Sequence, residues 1–270
     1  MIRKCIDLMK KDGAKALLSA IVGKIALYIN AKSMVDFSKV SICFENKCGL
    51  GIGGPSGIFN KYGFVPIYNI IKSLDMVNFS VSTVWGGSVD LKKGLILNGK
   101  RIGEYYIMDG SDLSSIRGEK YDFVLSSNNI EHMANPMRAI EQWLSVIKPG
   151  GSLVVVAPRK ESNFDHNRDI VKFNHLMDDY RKNTQEDDLA HLDDILKHHD
   201  LSMDRPAGTF AQFKERSAKN FENRCLHHHV FDLAVLKEIY EYFGISVLLT
   251  DHSHTDYVII GQFKNKQAFD

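Results

Sequence analysis

His132 is the residue whose type and surroundings best suit acid–base chemistry, and a carboxylate, Glu131, directly precedes it. An unperturbed imidazole titrates near neutral pH, so His132 is a candidate general base. The alternative is a neutral histidine that hydrogen-bonds to the backbone and orients its loop. Glu131 suits an orienting role better than that of the base. The small polar residues before this pair suit the mouth of a binding site: Ser126, Ser127, Asn128 and Asn129.

A second concentration of histidines lies between residues 159 and 229, which contain eight of the chain's 11 histidines among many carboxylates. Residues 177–200 are predicted to be helical, which would place Asp187 and His191, and also Asp194 and His198, one turn apart. Three interpretations are open: an exposed charged helix, an acceptor site that binds hydroxyls or phosphate, and a divalent metal site. No spacing as specific as HExxH is present, so we predict no metal ligands and keep a divalent ion as an alternative. The histidines are His166, His175, His191, His198, His199, His227, His228 and His229.

Two further polar stretches each follow a short apolar run of the kind that forms a buried strand. After the run at 48–52, the chain continues with Gly53, Gly54, Pro55 and Ser56. Glycine permits a positive φ and a close approach of the backbone to a ligand. After the run at 104–108, the chain continues with Asp109, Gly110, Ser111, Asp112 and Leu113. The two aspartates of this second stretch offer acceptors for an amino group, or the stretch is a strand-to-helix turn with Asp112 as the cap.

Residues 121–158 supply the clearest element that could position these groups. Residues 121–125 and 153–157 are apolar runs of strand length. Between them, Asn135 can cap a helix whose first turn accepts Pro136, and apolar residues then recur at helical spacing. The three elements predict a βαβ unit with parallel strands and a right-handed crossover. Ligands bind such sheets at the carboxyl ends of the strands, which here means Ser126 and beyond.

Other elements are predicted more simply. Strands are expected at 76–79, 104–108, 245–250 and 257–263, and a helix at 232–243. The Asn98-Gly99 pair predicts a small hairpin over residues 95–100.

A family resemblance rests on the motifs DFVLSS, IEH, NP, VIKPGG and VVVAP, which occur in this order within residues 121–158. The stretch resembles the second half of a class I S-adenosylmethionine-dependent methyltransferase domain. It is most similar to a subgroup associated with bacterial surface-polysaccharide gene clusters. The resemblance implies a Rossmann-like α/β fold whose mostly parallel sheet has an antiparallel last strand. It divides the chain into an N-terminal helical extension (1–40), a cofactor-binding α/β domain (41–158 and 230–270) and a helical, acceptor-binding insertion (159–229).

The resemblance also implies S-adenosylmethionine as the cofactor, held by three loops at the strand ends. The glycine turn would pass beneath the amino-acid part, and Asp109 and Asp112 align with the adenine-side motif. The glycine turn departs from the family pattern in two ways: Gly51 replaces the usual acidic residue, and Pro55 removes a backbone hydrogen-bond donor. Asn128 stands where the family has a histidine. The predicted cofactor-binding residues are Gly53, Gly54, Pro55, Ser56, Asp109, Gly110, Ser111, Asp112, Leu113, Ser126, Ser127, Asn128 and Asn129.

A further departure is the strand at 76–79, which lacks the terminal carboxylate that usually holds the ribose hydroxyls. Either a hydroxyl such as that of Thr83 replaces it, or the ribose is held differently. The nearby Trp85 would lie in the core or against the adenine.

Within the insertion, the subgroup resemblance continues through FDHxR at 164–168, EDxxxH at 186–191 and RCLHHHVF at 224–231. It implies a shared acceptor-side architecture, so His228 and His229 are base candidates beside His132. The implied reaction is O-methylation of a sugar, a nucleotide-linked sugar or a surface glycan. In such a transfer, the protein positions the acceptor and removes its proton.

Two functions from other classes compete with this one. Gly51 and the missing ribose carboxylate would fit a non-catalytic, methyltransferase-like scaffold or subunit in polysaccharide assembly. A nicotinamide-dependent oxidoreductase is disfavoured because the chain has no clean G-x-G-x-x-G.

The composition of the chain indicates in which cellular compartment the protein works and which partners it binds. A net charge of +1 and the lack of a long basic run give no argument for nucleic acid. The four cysteines lack paired metal spacing and indicate reduced thiols in a cytoplasmic protein. The apolar stretch at 17–28 is too short to span a bilayer, and no signal-peptide cleavage pattern follows it. We expect the N-terminal helices to pack on the domain, to make a homodimer contact or to dock on the inner membrane surface. The expected partner is a small-molecule or glycan acceptor.

Overall fold

The computed structural model describes residues 33–84, 87–116, 118 and 120–264. Its strands are β1 (Cys48–Ile52), β2 (Ser73–Asn78), β3 (Ser82–Thr83), β4 (Gly87–Ser88), β5 (Leu95–Leu97), β6 (Lys100–Gly103), β7 (Tyr105–Ile107), β8 (Tyr121–Ser127), β9 (Ile147–Pro158), β10 (Ile245–His252) and β11 (Asp256–Phe263). Its α-helices are α1 (Phe37–Val40), α2 (Pro136–Ser145), α3 (Phe173–Lys182), α4 (Leu192–His198), α5 (Phe210–Ala218), α6 (Asn220–Asn223) and α7 (Leu233–Tyr242).

Seven strands form one sheet in the order β10-β11-β9-β8-β1-β2-β7. Neighbours from β9 to β7 pair in parallel, whereas β11 runs antiparallel to both β9 and β10. The predicted fold, a mostly parallel sheet with an antiparallel last strand, is therefore confirmed. Since β1, β2, β7 and β8 run in the same direction, their carboxyl ends meet at one edge, which is where ligands bind in such sheets.

Helix α2 forms where the local sequence predicts it. The Asn135 side chain accepts a hydrogen bond from the backbone N–H of Arg138 at 3.0 Å, and Pro136 occupies the first turn. The apolar face of the helix packs into the core through Met137, Ile140, Trp143 and Leu144. β8, α2 and β9 therefore make the predicted βαβ unit, although β9 begins at Ile147, six residues earlier than expected from the apolar run.

The small hairpin around Asn98-Gly99 is also present, since β5 and β6 pair in antiparallel fashion. Both turn residues have positive φ, 52° at Asn98 and 78° at Gly99, as a two-residue turn that follows the twist of the strands requires.

The single helix predicted over residues 177–200 is wrong. α3 ends at Lys182 because Asn183 adopts a left-handed conformation with φ 52°. A non-helical segment separates it from α4, which begins at Leu192. Asp187 is therefore not on a helical turn with His191, whereas Asp194 and His198 within α4 do pair at 2.8 Å.

The insertion packs partly on the sheet's own core. Leu176 and Met177 of α3 join the apolar cluster that includes Met137 and Trp143 of α2. A separate small cluster, made of Ile195, Ala207, Phe213 and Leu226, lies within the insertion itself.

Two predictions fall on residues outside the described ranges. They are the N-terminal helices expected ahead of residue 33 and the position of Trp85. Within the described ranges, none of the helices has the length and apolar character needed to cross a bilayer.

Candidate active site

A cavity opens at the shared carboxyl edge of β1, β2, β7 and β8. The strand-end loops supply most of its wall, and the insertion supplies two charged residues. Its lining residues are Ile52, Gly53, Val77, Asn78, Phe79, Thr83, Asp109, Gly110, Asn128, Asn129, His132, Met133, Glu186 and Arg224.

The glycine turn after β1 brings backbone to the floor of the cavity. Gly53 and Gly54 have φ of 92° and 104°, which disfavour any residue with a side chain. A Cβ at Gly53 would lie only 2.9 Å from the Asn129 side chain, so the loops after β1 and β8 touch. Ser56 does not line the cavity. Its backbone N–H donates a hydrogen bond to the hydroxyl of Tyr68 at 3.1 Å.

Asn78 occupies the last position of β2, where the family pattern would place a carboxylate. Its side chain is 6% exposed, and its Oδ1 has no hydrogen-bond partner among the described residues. A buried acceptor without a donor is costly, so this amide is suited to a ligand's hydroxyl. Sequence reasoning missed Asn78 because it looked for a carboxylate beyond the strand, although the position at a strand end was a usable signal.

Asp109, just beyond β7, is held from two sides. Its Oδ1 accepts hydrogen bonds from the N–H and the hydroxyl of Ser111 at 2.9 and 2.8 Å. Its Oδ2 accepts from the Arg224 guanidinium at 2.9 Å, and Arg224 also lies 3.0 Å from the Glu186 carboxylate. Burial raises the pKa of Glu186 to about 7, against the opposing effect of Arg224. Asp112 faces away and accepts from the N–H of Ser114.

His132 lies in the short 3-10 helix after β8 and lines the cavity. Its Nδ1 is 3.0 Å from the carbonyl of Leu226, so the ring donates through Nδ1. Burial, together with the neighbouring His227, lowers the pKa of His132 to about 3. The ring is therefore neutral at pH 7, and its remaining nitrogen, Nε2, carries a lone pair.

Behind His132 stands a buried Asp–His pair. The rings of His132 and His227 pack edge to face with centroids 4.5 Å apart, and Nδ1 of His227 is 2.5 Å from the Asp165 carboxylate. Burial opposes the charged form of both groups. Even so, Asp165 raises the pKa of His227, and His227 lowers the pKa of Asp165 to about 2. Arg168 is buried against the same carboxylate at 3.1 Å.

His228 and His229 lie outside the cavity wall and make structural contacts. Nε2 of His228 accepts a hydrogen bond from the amide of Asn220 at 3.0 Å, and Nε2 of His229 is 3.2 Å from Asp179. Burial lowers the pKa of both rings. These two histidines therefore do not reach the site that His132 lines.

The structure thus divides the sequence-predicted residues into two groups. Those that line the cavity are Gly53, Asp109, Gly110, Asn128, Asn129 and His132. Those that lie outside its lining are Gly54, Pro55, Ser56, Ser111, Asp112, Leu113, Ser126, Ser127, His228 and His229. Lining residues that sequence reasoning did not assign to a site are Ile52, Val77, Asn78, Phe79, Met133, Glu186 and Arg224. Of these, Glu186 and Arg224 stand in the insertion motifs, which was the only signal for them.

Residues 48–155 match the family model described as a methyltransferase domain. The match begins at β1 and ends within β9, so it covers the strands and loops that build the cavity, apart from the insertion. A search of curated proteins found no match to this chain.

Solved structures resemble the fold at low sequence identity. The chain is 12% identical to a SAM-dependent methyltransferase from Aquifex aeolicus, with 84% of this chain and 89% of that chain covered and a TM-score of 0.45. It is 16% identical to SAM-dependent methyltransferases from Methanosarcina mazei, with coverages of 87% and 100% and a TM-score of 0.46. The CurJ carbon methyltransferase is 12% identical with a TM-score of 0.44, and the match spans 82% of this chain but only 49% of that one.

Proposed function

We propose that this enzyme, an S-adenosylmethionine-dependent methyltransferase, methylates a hydroxyl of a sugar, a nucleotide-linked sugar or a surface glycan. The observation that carries the proposal is the position of His132, whose neutral ring enters the same cavity as the glycine turn. A hydroxyl must lose its proton to become a good nucleophile, and a neutral imidazole beside it can act as the general base for that loss.

The cofactor, when bound, supplies the methyl group on a sulfonium centre. The residues present fit it, because the cavity contains two buried amide atoms without hydrogen-bond partners among the described residues, Oδ1 of Asn78 and Nδ2 of Asn129. We assign Gly53 and Asn129 to the amino-acid part and Asn78 to the ribose. Asp109 and Gly110 then take the adenine side, as the resemblance implies.

The acceptor side is supplied by the insertion. Glu186 and Arg224 reach the cavity from residues 159–229 and present a carboxylate and a guanidinium, which hydrogen-bond well to hydroxyls and phosphates. This polar wall supports a sugar-like acceptor over an apolar one. The three motifs that resemble the polysaccharide-associated subgroup contribute Asp165, Glu186 and Arg224 to this region, which supports the same choice.

Among the three base candidates, we propose His132 as the side chain that serves the acceptor. His228 and His229 lie outside the cavity lining, where they contact Asn220 and Asp179, respectively. These two would then hold the insertion in place.

A panel of acceptors offered with isotope-labelled S-adenosylmethionine tests the proposal. We expect mass spectrometry to find the label on nucleotide sugars or oligosaccharides, and not on amines or activated carbon acids of similar size. Label found only on nitrogen or carbon would refute O-methylation. Calorimetric titration with S-adenosylhomocysteine is the control, because a chain that does not bind it would favour the non-catalytic scaffold.

A further inference from the structure

The carboxylate of Glu131 is buried beside two histidines without a hydrogen bond to either of its oxygens. The residue is 1% exposed, and neither oxygen has a hydrogen-bond partner among the described residues. An unpaired buried carboxylate costs several kcal/mol unless a cation or a donor compensates it. A bound cation is one group that would satisfy both oxygens of this side chain.

The two neighbouring histidines are arranged as metal ligands usually are. Nδ1 of His132 faces the carbonyl of Leu226 at 3.0 Å, and Nδ1 of His227 faces the Asp165 carboxylate at 2.5 Å. A carbonyl or carboxylate on the far nitrogen is the usual support of a metal-binding histidine, since it fixes the tautomer and the ring. Coordination then falls to Nε2 of each ring.

The three groups lie close together. A carboxylate oxygen of Glu131 and one nitrogen each of His132 and His227 all lie within 4.8 Å of one another. Ligands of a tetrahedral zinc ion bound at about 2.0–2.2 Å stand roughly 3.3–3.5 Å apart, so a small movement of these side chains would close the site.

We propose that Glu131, His132 and His227 bind a divalent first-row transition ion, with Zn²⁺ as the representative case. Two imidazoles and one carboxylate form the ligand set of catalytic zinc sites and of the facial triad that binds Fe²⁺. Mg²⁺ prefers oxygen ligands and is expected to bind weakly. Such sets leave coordination positions open, and His132 is the member of the set that lines the cavity.

This inference deepens the proposed function and rests on it in one respect, namely that an acceptor hydroxyl enters this cavity. The hydroxyl oxygen takes an open position on the ion. Its proton leaves to solvent because the positive charge lowers the pKa of a bound hydroxyl, and the resulting alkoxide is the nucleophile. His132 then acts as a ligand, and the ion replaces it as the group that activates the acceptor.

A second histidine cluster in the insertion provides the competing site. Nε2 of His175 lies 2.8 Å from Nε2 of His191, and His229 is the third member of the group. Its buried member, His229, already pairs with Asp179 at 3.2 Å, and the His175 side chain is 45% exposed. The cluster thus lacks an uncompensated buried carboxylate, and it lies away from the cavity.

The test uses the full chain stripped of metal with a chelator and titrated calorimetrically with Zn²⁺ or Mg²⁺. We expect one high-affinity Zn²⁺ per chain and little response to Mg²⁺. Glu131→Gln should weaken Zn²⁺ binding at least 100-fold, and Asp165→Asn should weaken it about 10–100-fold through His227. His175→Gln is the matched control, and it should keep the affinity unchanged.

The outcomes separate the metal site from the function. No Zn²⁺ binding, or binding lost in His175→Gln and kept in Glu131→Gln, would overturn the site. Binding of S-adenosylhomocysteine by Glu131→Gln, with an unchanged melting temperature in the absence of metal, shows that the variant is folded. Full hydroxyl methylation by the metal-free chain would overturn the role of the ion. Zn²⁺ binding without transfer to any hydroxyl would refute the proposed function and leave the site standing.

Discussion

Gly53 and Asn129 face each other across the floor of the cavity, with too little space between them for another side chain. Oδ1 of Asn78 and Nδ2 of Asn129 are buried amide atoms that have no hydrogen-bond partner among the described residues. At the scale of the residue, the site is thus defined by what a ligand must supply, namely hydrogen-bonding groups for these amides and a surface that fits against bare backbone.

Gly53→Ala should weaken the binding of S-adenosylhomocysteine at least tenfold, a change of about 1.4 kcal/mol. The added Cβ would lie 2.9 Å from the Asn129 side chain and would displace it. Gly99→Ala is the matched control, because Gly99 also has positive φ (78°) but has nothing within 4 Å of its added Cβ. The control should lose about 1 kcal/mol of stability and keep its affinity. Equal affinities for the two variants, measured by calorimetry, would contradict the assignment of the turn.

Asn78→Leu should also weaken S-adenosylhomocysteine about tenfold or more, since an apolar side chain of similar size cannot bond to a ribose hydroxyl. Asn78→Asp should restore binding, because a carboxylate accepts the same hydrogen bonds. Asn60→Ala, at an exposed position outside the cavity, serves as the control. If Asn78→Leu binds as well as the unaltered chain in the same titration, the ribose lies elsewhere.

At the scale of elements, Arg224 joins the insertion to the sheet. It bridges Asp109, beyond β7, and Glu186, in the segment between α3 and α4, at 2.9 and 3.0 Å. Its guanidinium also lies 5.8 Å from the ring of Phe79. Both carboxylates line the cavity, so the bridge sets the distance there between the loop after β7 and the insertion.

Arg224→Leu should destabilise the fold by about 2–4 kcal/mol, because it leaves two partly buried carboxylates facing each other without a cation. Arg181→Leu breaks an ion pair whose side chains are 68% and 55% exposed, and it should cost less than about 1 kcal/mol. Urea denaturation of both variants measures the difference. If Arg224→Leu lowers the free energy of unfolding no more than Arg181→Leu does, the Arg224 bridge does not stabilise the fold.

At the scale of the whole molecule, the folded chain buries several titratable groups in their neutral form. Burial lowers the pKa of His132 to about 3, that of His191 to about 4, and those of His228 and His229 in the same direction. Burial also raises the pKa of Glu131 and Glu186 to about 7. These two sets affect the pH dependence of stability with opposite sign.

Between about pH 6 and 4.5, the free energy of unfolding should fall as the pH falls. In this window His132 and His191, whose folded pKa values lie at about 3 and about 4, take up protons mainly in the unfolded chain, whose histidines titrate near pH 6.5. The lowered pKa values of His228 and His229 act in the same direction. The two glutamates hold protons mainly in the folded chain and oppose this effect, but the histidines outnumber them, so the unfolded chain binds more protons overall and acid favours it. Urea denaturation at pH 7, 6 and 5 checks the sign. A free energy of unfolding that rises towards pH 5 would show that the glutamates dominate.

Much of the framework follows from local signals. The cap at Asn135, the helical recurrence that ends in Trp143 and Leu144, and the two apolar runs predict the βαβ unit, because each depends only on neighbouring residues. The same signals led to an error in the insertion, where composition favours one long helix. There the left-handed Asn183 ends α3, which packs on α2, whereas Ile195 of α4 packs in the separate cluster with Phe213 of α5.

The sequence by itself determined the mostly parallel sheet and the polar loops that follow its strands at the carboxyl edge. Only the tertiary structure decided which side chains meet there. Arg224 pairs with Asp109 across 115 positions, His132 contacts Leu226 across 94, and His227 contacts Asp165 across 62. The physical reason is that periodicity and capping are encoded within one or two turns of chain, whereas such contacts depend on how whole elements pack.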